Sequence, residues 1–171
     1  MGRKLASIAL AGAMTIISLC ATAGAAQADV VPLDHAIACD IAIASSQTTV
    51  YGVNAWRVPG GSYFVPGQSC SEPHNRLIFQ TDRKLAVYDQ NNGLKWLAPN
   101  TYLNGYIAKM QTDGNFVVYN SSYTPLWASN TSGYTAADNV WLAVQADGNV
   151  VIYKGYGSSP AALWATNTVH S

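Results

Sequence analysis

The sequence predicts an all-β protein built from three small antiparallel sheets around a shared aromatic and aliphatic axis. Three observations point there. No segment after the first 28 residues keeps a 3.6-residue apolar period. Short β-branched and aromatic runs, Phe116-Val117-Val118-Tyr119 and Val150-Val151-Ile152-Tyr153, favour strands instead. And one nine-residue pattern occurs three times: QTDRKLAVY at 80–88, QTDGNFVVY at 111–119 and QADGNVVIY at 145–153, at spacings of 31 and 34 residues. A period in the thirties marks supersecondary units that stack around one core.

Each copy is followed by a tryptophan segment: Lys95-Trp96-Leu97, Leu126-Trp127-Ala128 and Leu163-Trp164-Ala165. The last two continue as W-A-S-N-T and W-A-T-N-T, whereas the first reads W-L-A-P-N-T, one residue longer. Asp113-Gly114 and Asp147-Gly148 interrupt apolar runs, which is a hairpin signal. Each repeat therefore reads as a sheet of three or four short strands. Residues 52–79, with Pro59-Gly60-Gly61 and Pro66-Gly67, read as the outer strands and turns of the first repeat.

Ahead of the repeats lies a targeting pattern. Gly2-Arg3-Lys4 is positive, Leu5 to Leu19 is small and apolar, and Ala26-Gln27-Ala28 has the small-x-small form of a cleavage site. Residues 1–28 are expected to be a secretory signal cut before Asp29. The run is short for a bilayer anchor of about 20 residues, and Leu19 is too bulky for a lipid anchor on Cys20. No membrane span is expected, and the mature product reads as secreted and extracellular. It keeps seven basic residues against nine acidic ones. That balance argues against nucleic acid, which calls for a basic stripe. Residues 29–51 lie outside the repeat and read as an N-terminal arm or leading strand before the 52–171 domain. Cys39 and Cys70 are expected to form a disulfide in an exported chain, closing a loop of about 30 residues.

The polar positions of the repeat carry the candidate chemistry. A straight strand would hold Gln111 and Tyr119 roughly 26 Å apart. A three-residue hairpin loop at Asp113-Gly114-Asn115 instead doubles the chain back, with Gln111 opposite Val117. Gln111, Val117 and Tyr119 then share one face, with Asp113 and Asn115 at an exposed tip, while Phe116 and Val118 turn inward. Gln145, Asp147, Asn149, Val151 and Tyr153 repeat the arrangement. Each set offers one carboxylate, two amides, a phenol and a small apolar patch. That suits a polyol, whose hydroxyls donate and accept and whose C–H face packs on valine. A phosphate would ask for Arg, Lys or a helix N-terminus. Calcium is disfavoured because each set holds one carboxylate, and no metal or cofactor is expected. Asp82, Asp113 and Asp147 are three of nine acidic residues, and all stand two places after a Gln, which a mere turn does not require.

On these residues the chain resembles the bulb-type, or monocot, mannose-binding lectins over roughly 52–168. The resemblance implies a β-prism with pseudo-threefold symmetry. It implies that Asp113 and Asn115 bind the axial O2 of mannose, Gln111 O3 and Tyr119 O4, with Val117 against the ring. Gln145, Asp147, Asn149, Tyr153 and Val151 would repeat those roles. The expected partners are mannose-containing glycans, and the pattern is compatible with a homo-oligomer.

The first copy departs from the pattern. Gln80, Asp82 and Tyr88 match, but Lys84 and Ala86 replace Asn and Val. Arg83 replaces Gly, so the turn is expected to lose its positive-φ residue. This copy reads as a degenerate site that completes the threefold core. Cys39 also lies ahead of the region where family members often place their cysteines. No enzyme is expected: His35, His74 and His170 are scattered, and no G-x-S-x-G, metal-ligand spacing or acid–base carboxylate pair stands out. The alternative is a lectin-like toxin or protein-interaction module on the same scaffold with vestigial pockets.

Overall fold

The computed structural model describes residues 38–41 and 45–170. The expected signal at 1–28 and most of the arm at 29–37 lie outside the described residues. The strands are β1 (Ala38–Cys39), β2 (Ser46–Val50), β3 (Val53–Pro59), β4 (Tyr63–Phe64), β5 (Ser69–Glu72), β6 (Asn75–Phe79) and β7 (Leu85–Asp89). They continue as β8 (Leu94–Leu97), β9 (Ile107–Met110), β10 (Phe116–Tyr119), β11 (Pro125–Ala128), β12 (Val140–Gln145), β13 (Val150–Lys154) and β14 (Ala161–Ala165). A single 3-10 turn, Ala136–Asp138, interrupts them among the described residues.

The strands form three antiparallel sheets, ordered β1-β5-β6-β7-β8, β11-β10-β9-β4 and β14-β13-β12-β3-β2. Every repeat thus sits in its own sheet, and the fold is the three-sided β-prism expected. Two features differ from the sequence reading. The first and third sheets have five strands rather than three or four. And residues 52–79 do not all serve the first repeat: β3 pairs with β12 in the third sheet and β4 with β9 in the second, while β5 and β6 stay in the first. Such long-range pairing has no local sequence signal, since any half-buried strand can add to an open edge.

Period-two alternation builds the interior. Leu77, Phe79, Leu85 and Val87 point inward from the first sheet; Ala108, Met110, Phe116 and Val118 from the second; Leu142, Val144, Val150 and Ile152 from the third. All are essentially inaccessible to solvent. Trp96, Trp127 and Trp164, on β8, β11 and β14, converge edge to face with ring centroids 5.2, 5.6 and 5.6 Å apart. Each such ring pair adds about 0.5–1.5 kcal/mol beyond its buried area. Pro125, which lacks an N–H, is tolerated because β11 is an edge strand.

Cys39 stands opposite Cys70 in the β1–β5 ladder, and the two are disulfide-bonded as expected. The bond fastens the chain ahead of the repeats to the first sheet. A polar flaw lies in that same sheet. Glu72 and Asn75, cross-strand neighbours, are 2% and 0% exposed. Both oxygens of Glu72 and both polar side-chain atoms of Asn75 are buried without a hydrogen-bond partner. Burial pushes the Glu72 carboxyl up to about 7.

Candidate carbohydrate site

The three motif turns share one backbone. In the second repeat Gln111 N–H donates to Asn115 O (2.8 Å) and Gly114 N–H to Gln111 O (3.2 Å). The loop is therefore Thr112-Asp113-Gly114, one residue earlier than expected, and Gln111 faces Asn115 rather than Val117. Val117 pairs with Lys109. The shared face survives, because the shift moves the pairing by two residues in total and preserves which way each side chain points. Gly114 at φ 92° supplies the left-handed turn position, and an added Cβ there would lie 2.9 Å from the Tyr134 ring.

The same bonds recur at Gln145/Asn149 and at Gln80/Lys84. The latter corrects an expectation: Arg83 does not abolish the turn but adopts φ 72° itself. Its Nη1 donates to Gly105 O at 3.1 Å, which helps to hold it there.

Internal bonds fix the polar groups of the second repeat. Asp113 Oδ1 accepts from Asn115 N–H (3.1 Å), leaving Oδ2 without a partner among the described residues. Asn115 Oδ1 accepts from Ser129 Oγ–H (3.1 Å) and Thr131 N–H (3.3 Å), so its amide N–H groups point to the outside chemistry. Gln111 Nε2 donates to the Tyr119 hydroxyl (3.0 Å). Gln111, Asp113, Asn115 and Tyr119 are half-buried, and Val117 forms the floor. Asp113 is thus less exposed than a free turn tip.

These bonds also explain the W-A-[ST]-N-T segments. Ser129 and Thr166 hydroxyls accept from Phe116 and Val150 N–H (2.9 and 3.0 Å) and brace the two motif asparagines. Asn130 and Asn167 take φ 59° and 57°, a left-handed conformation that asparagine tolerates better than most residues. The repetition of Asn and Thr at these positions was a visible signal for the second wall of the site, which the motif alone did not show.

The third repeat has the same anchoring but a partly different surface. Asp147 and Asn149 are half-buried and Val151 is buried like Val117, whereas Gln145 and Tyr153 are 4% and 5% exposed. The β2–β3 turn closes on them. Tyr51 N–H donates to Ser158 O (2.7 Å), its hydroxyl to Pro160 O (2.6 Å), and its ring lies 6.3 Å from that of Tyr153. Val50, fully buried, packs in the same cluster as Val151 and Tyr153. Residues ahead of the repeats thus cover a face that the sequence reading left open.

In the first repeat Lys84 Nζ lies 2.8 Å from Asp82 Oδ2, the oxygen that has no partner among the described residues in the other copies. The hydrogen bond to Asp82 raises the Lys84 pKa, so the cation persists. Ala98 stands where Ser129 and Thr166 stand, and Thr101 from the longer loop supplies the hydroxyl instead, 3.4 Å from Leu85 N. Gln80 and Tyr88 keep their mutual contact (3.3 Å). A cleft of about 490 Å³ lined by Arg57, Asn139, Trp141 and Tyr156 contains no motif side chain. Among the described residues no group of three metal-ligating side chains occurs, and no helix is long and apolar enough to cross a membrane.

No family model matches the chain. It is 48% identical over 61 residues to the B-type lectin plumieribetin of Scorpaena plumieri, a match covering 36% of the chain and 47% of that relative. Among solved structures, a monomeric monocot mannose-binding lectin from Gastrodia elata superposes with a TM-score of 0.58 at 36% identity, covering 67% of this chain and 98% of the other. The mannose-specific lectin of Aloe arborescens is 38% identical over 93 residues, covering 54% of this chain and 78% of its own length. With that much of a relative's length matched at more than 30% identity, and the three-sheet fold shared, the chain belongs to the monocot mannose-binding lectin family.

Proposed function

We propose that the protein is an exported lectin that binds mannose or α-mannosides, without catalysis, at the second repeat. The observation that carries this reading is the second-repeat face. There Asp113 Oδ2, the Asn115 amide N–H groups and the Gln111–Tyr119 pair stand above Val117, held by bonds that leave their outer atoms unused. A hydroxyl between Asp113 and Asn115 donates to one and accepts from the other, and a sugar C–H face fits the valine floor. The names of the Aloe and Gastrodia relatives support mannose as the sugar.

The third-repeat residues Gln145, Asp147, Asn149, Val151 and Tyr153 form a second pocket in this reading, closed by Tyr51. The first-repeat set is silent because Lys84 occupies Asp82. Affinity per site is weak: mannose has 12 heavy atoms, and about 0.3 kcal/mol per atom gives a dissociation constant near millimolar. With one open pocket per chain, avidity for clustered glycans rests on a homo-oligomer. Titration calorimetry with methyl α-mannoside tests the reading; no heat, with no mannose-type hits on a glycan array, overturns it. Export is tested by sequencing the N-terminus of the extracellular product, expected at Asp29. The closed third face favours one rival, a protein-interaction module with vestigial pockets, which the same array separates.

A further inference from the structure

The third sheet turns Leu142 and Val144 of β12 into the prism and Trp141 to its outer face, where a cleft without any motif side chain opens. Its volume of about 490 Å³ falls within the roughly 300–1,000 Å³ of small-molecule sites. Trp141, 2% exposed, lies at the floor. Arg57 on β3 covers that indole, its guanidinium carbon 5.1 Å from the ring centroid. The β13–β14 loop contributes Tyr156 as a wall, 75% exposed, and Thr48 and Ser158 bring hydroxyl groups to the lining.

Arg57 is held in one pose. Its Nη2 donates to Asn139 Oδ1 (2.6 Å), and Asn139 Nδ2 donates in turn to Gly155 O (2.5 Å). No carboxylate pairs with Arg57 among the described residues, and it is the only charged residue lining the cleft. The prism itself does not ask for a cation at this register. Arg57 stands opposite Ala143, whereas the corresponding positions of the other two sheets hold Tyr63, opposite Lys109, and Ser69, opposite Ile78. A guanidinium fixed over an aromatic floor, its charge unmatched and its fork beside an open cleft, is arranged for an incoming oxyanion.

We infer that this cleft is a second binding site, separate from the motif pockets, for an acidic sugar of the hexuronic acid class. The single Arg57 charge matches a monoanion, and its planar fork matches the two oxygens of a carboxylate. A phosphate monoester, carrying close to two charges, would call for more than one cation. The rest of the lining suits the body of the ligand: the Tyr156 ring offers a rigid apolar face to sugar C–H groups, and the Thr48 and Ser158 hydroxyls can donate to and accept from ring hydroxyls. None of these groups belongs to the Gln-Asp-Asn-Val-Tyr sets, so the inference does not depend on the mannose reading.

The test titrates the protein with glucuronate, galacturonate, glucose and acetate, following the Trp141 indole N–H and the Arg57 Nε–H by NMR. At least one hexuronate should shift both signals with a dissociation constant on the order of millimolar, while glucose should leave them in place and acetate should bind about tenfold more weakly than the hexuronate. Saturating methyl α-mannoside should not displace the hexuronate. Arg57→Gln should weaken hexuronate binding at least about tenfold, and Arg57→Lys, which keeps the charge but loses the fork, should recover only part of it. Tyr156→Ala, in an exposed loop where the fold is not at stake, should weaken it about threefold or more with an unchanged circular dichroism spectrum. No shift with either hexuronate, an equal shift with glucose, displacement by the mannoside, or undiminished binding in Arg57→Gln or Tyr156→Ala would overturn the site. Acetate binding as tightly as the hexuronates would overturn the sugar class.

Discussion

The second and third repeats carry the same motif on the same backbone, yet one face is open and the other shut. Gln111 and Tyr119 remain half-buried, while Gln145 and Tyr153 fall to 4% and 5% exposure. The motif residues do not cause this. Their internal bonds join the same residue pairs: Gln111 Nε2 donates to the Tyr119 hydroxyl, the Tyr153 hydroxyl donates to Gln145 Oε1, and a Ser or Thr hydroxyl donates to each Asn. The difference comes from β2 and the Tyr51 turn, which the third sheet acquires and the second does not. A binding motif fixes the chemistry of a face; what else the topology delivers to that face fixes whether a ligand can reach it.

The first sheet sharpens the contrast, because it carries a buried acid at its Cys70-bearing strand, and this gives the largest expected effect. Glu72 is raised from 4.5 in the unfolded chain to about 7 in the fold. The native state then holds the proton more tightly, so its contribution is most favourable below about 4.5 and declines as pH rises through 7. The decline is on the order of 3 kcal/mol, as a shift of one pKa unit is about 1.4 kcal/mol. Urea titrations from pH 4 to 8 should show it, and Glu72→Gln should flatten the profile in that window. A wild-type profile that rises across the same window would refute the assignment.

Next comes the paired loss of the motif carboxylates. Asp113→Ala should lower mannoside affinity by roughly 1.5–3 kcal/mol, the worth of a hydrogen bond to a charged group. Asp147→Ala should leave the calorimetric titration nearly unchanged, since the third face is shut. Neither change touches the prism interior, so circular dichroism serves as the control. If Asp147→Ala costs as much as Asp113→Ala, the third pocket opens in solution and the contrast between the repeats fails.

A change at Tyr51 probes the closure directly. Tyr51→Ala removes the hydroxyl bond to Pro160 O and the ring against Tyr153. The stability loss should be about 1–2 kcal/mol, from one hydrogen bond and one aromatic contact. The stoichiometry for methyl α-mannoside should rise from about one toward two per chain, as a cavity-lining ring leaves a preformed pocket behind it. A variant that binds no additional mannoside would show that the Gln145–Tyr153 face is unfit for sugar even when uncovered.

Much of this architecture could be read from residues. The three Trp segments announced the axis, and alternation assigned Phe116 and Val118 to the interior. The Gln-to-Tyr pattern put its polar groups on one face even though the turn was placed a residue late, since the error preserved parity. The sheet membership of β3 and β4 was hidden, because pairing partners far along the chain leave no local mark. So was the cover over the third face: Val50 and Tyr51 belong to no repeat, and their role is defined by Ser158 and Pro160, more than a hundred residues away. The pairing of Lys84 with Asp82 was legible from charge and spacing.

Arg83 is the case in which sequence logic and backbone disagreed, and it sets the smallest expected effect. The motif turn needs a positive φ at its third loop position, and glycine meets that need in two copies. The first copy keeps the turn with arginine at φ 72°, so the β6–β7 ladder, not the loop residue, dictates the conformation. An L-residue in that region costs roughly 1–2 kcal/mol. The bond from Nη1 to Gly105 O returns about 0.5–1.5 kcal/mol of it. Arg83→Gly should therefore leave stability unchanged or raise it by up to about 1 kcal/mol, despite the loss of a hydrogen bond and the greater freedom of glycine in the unfolded chain. It should not confer mannoside binding on the first repeat, because Lys84 still occupies Asp82 and Ala86 still leaves the floor short. A midpoint of urea unfolding well below wild type would mean that the Gly105 contact, rather than the ladder, holds this turn in register with the other two.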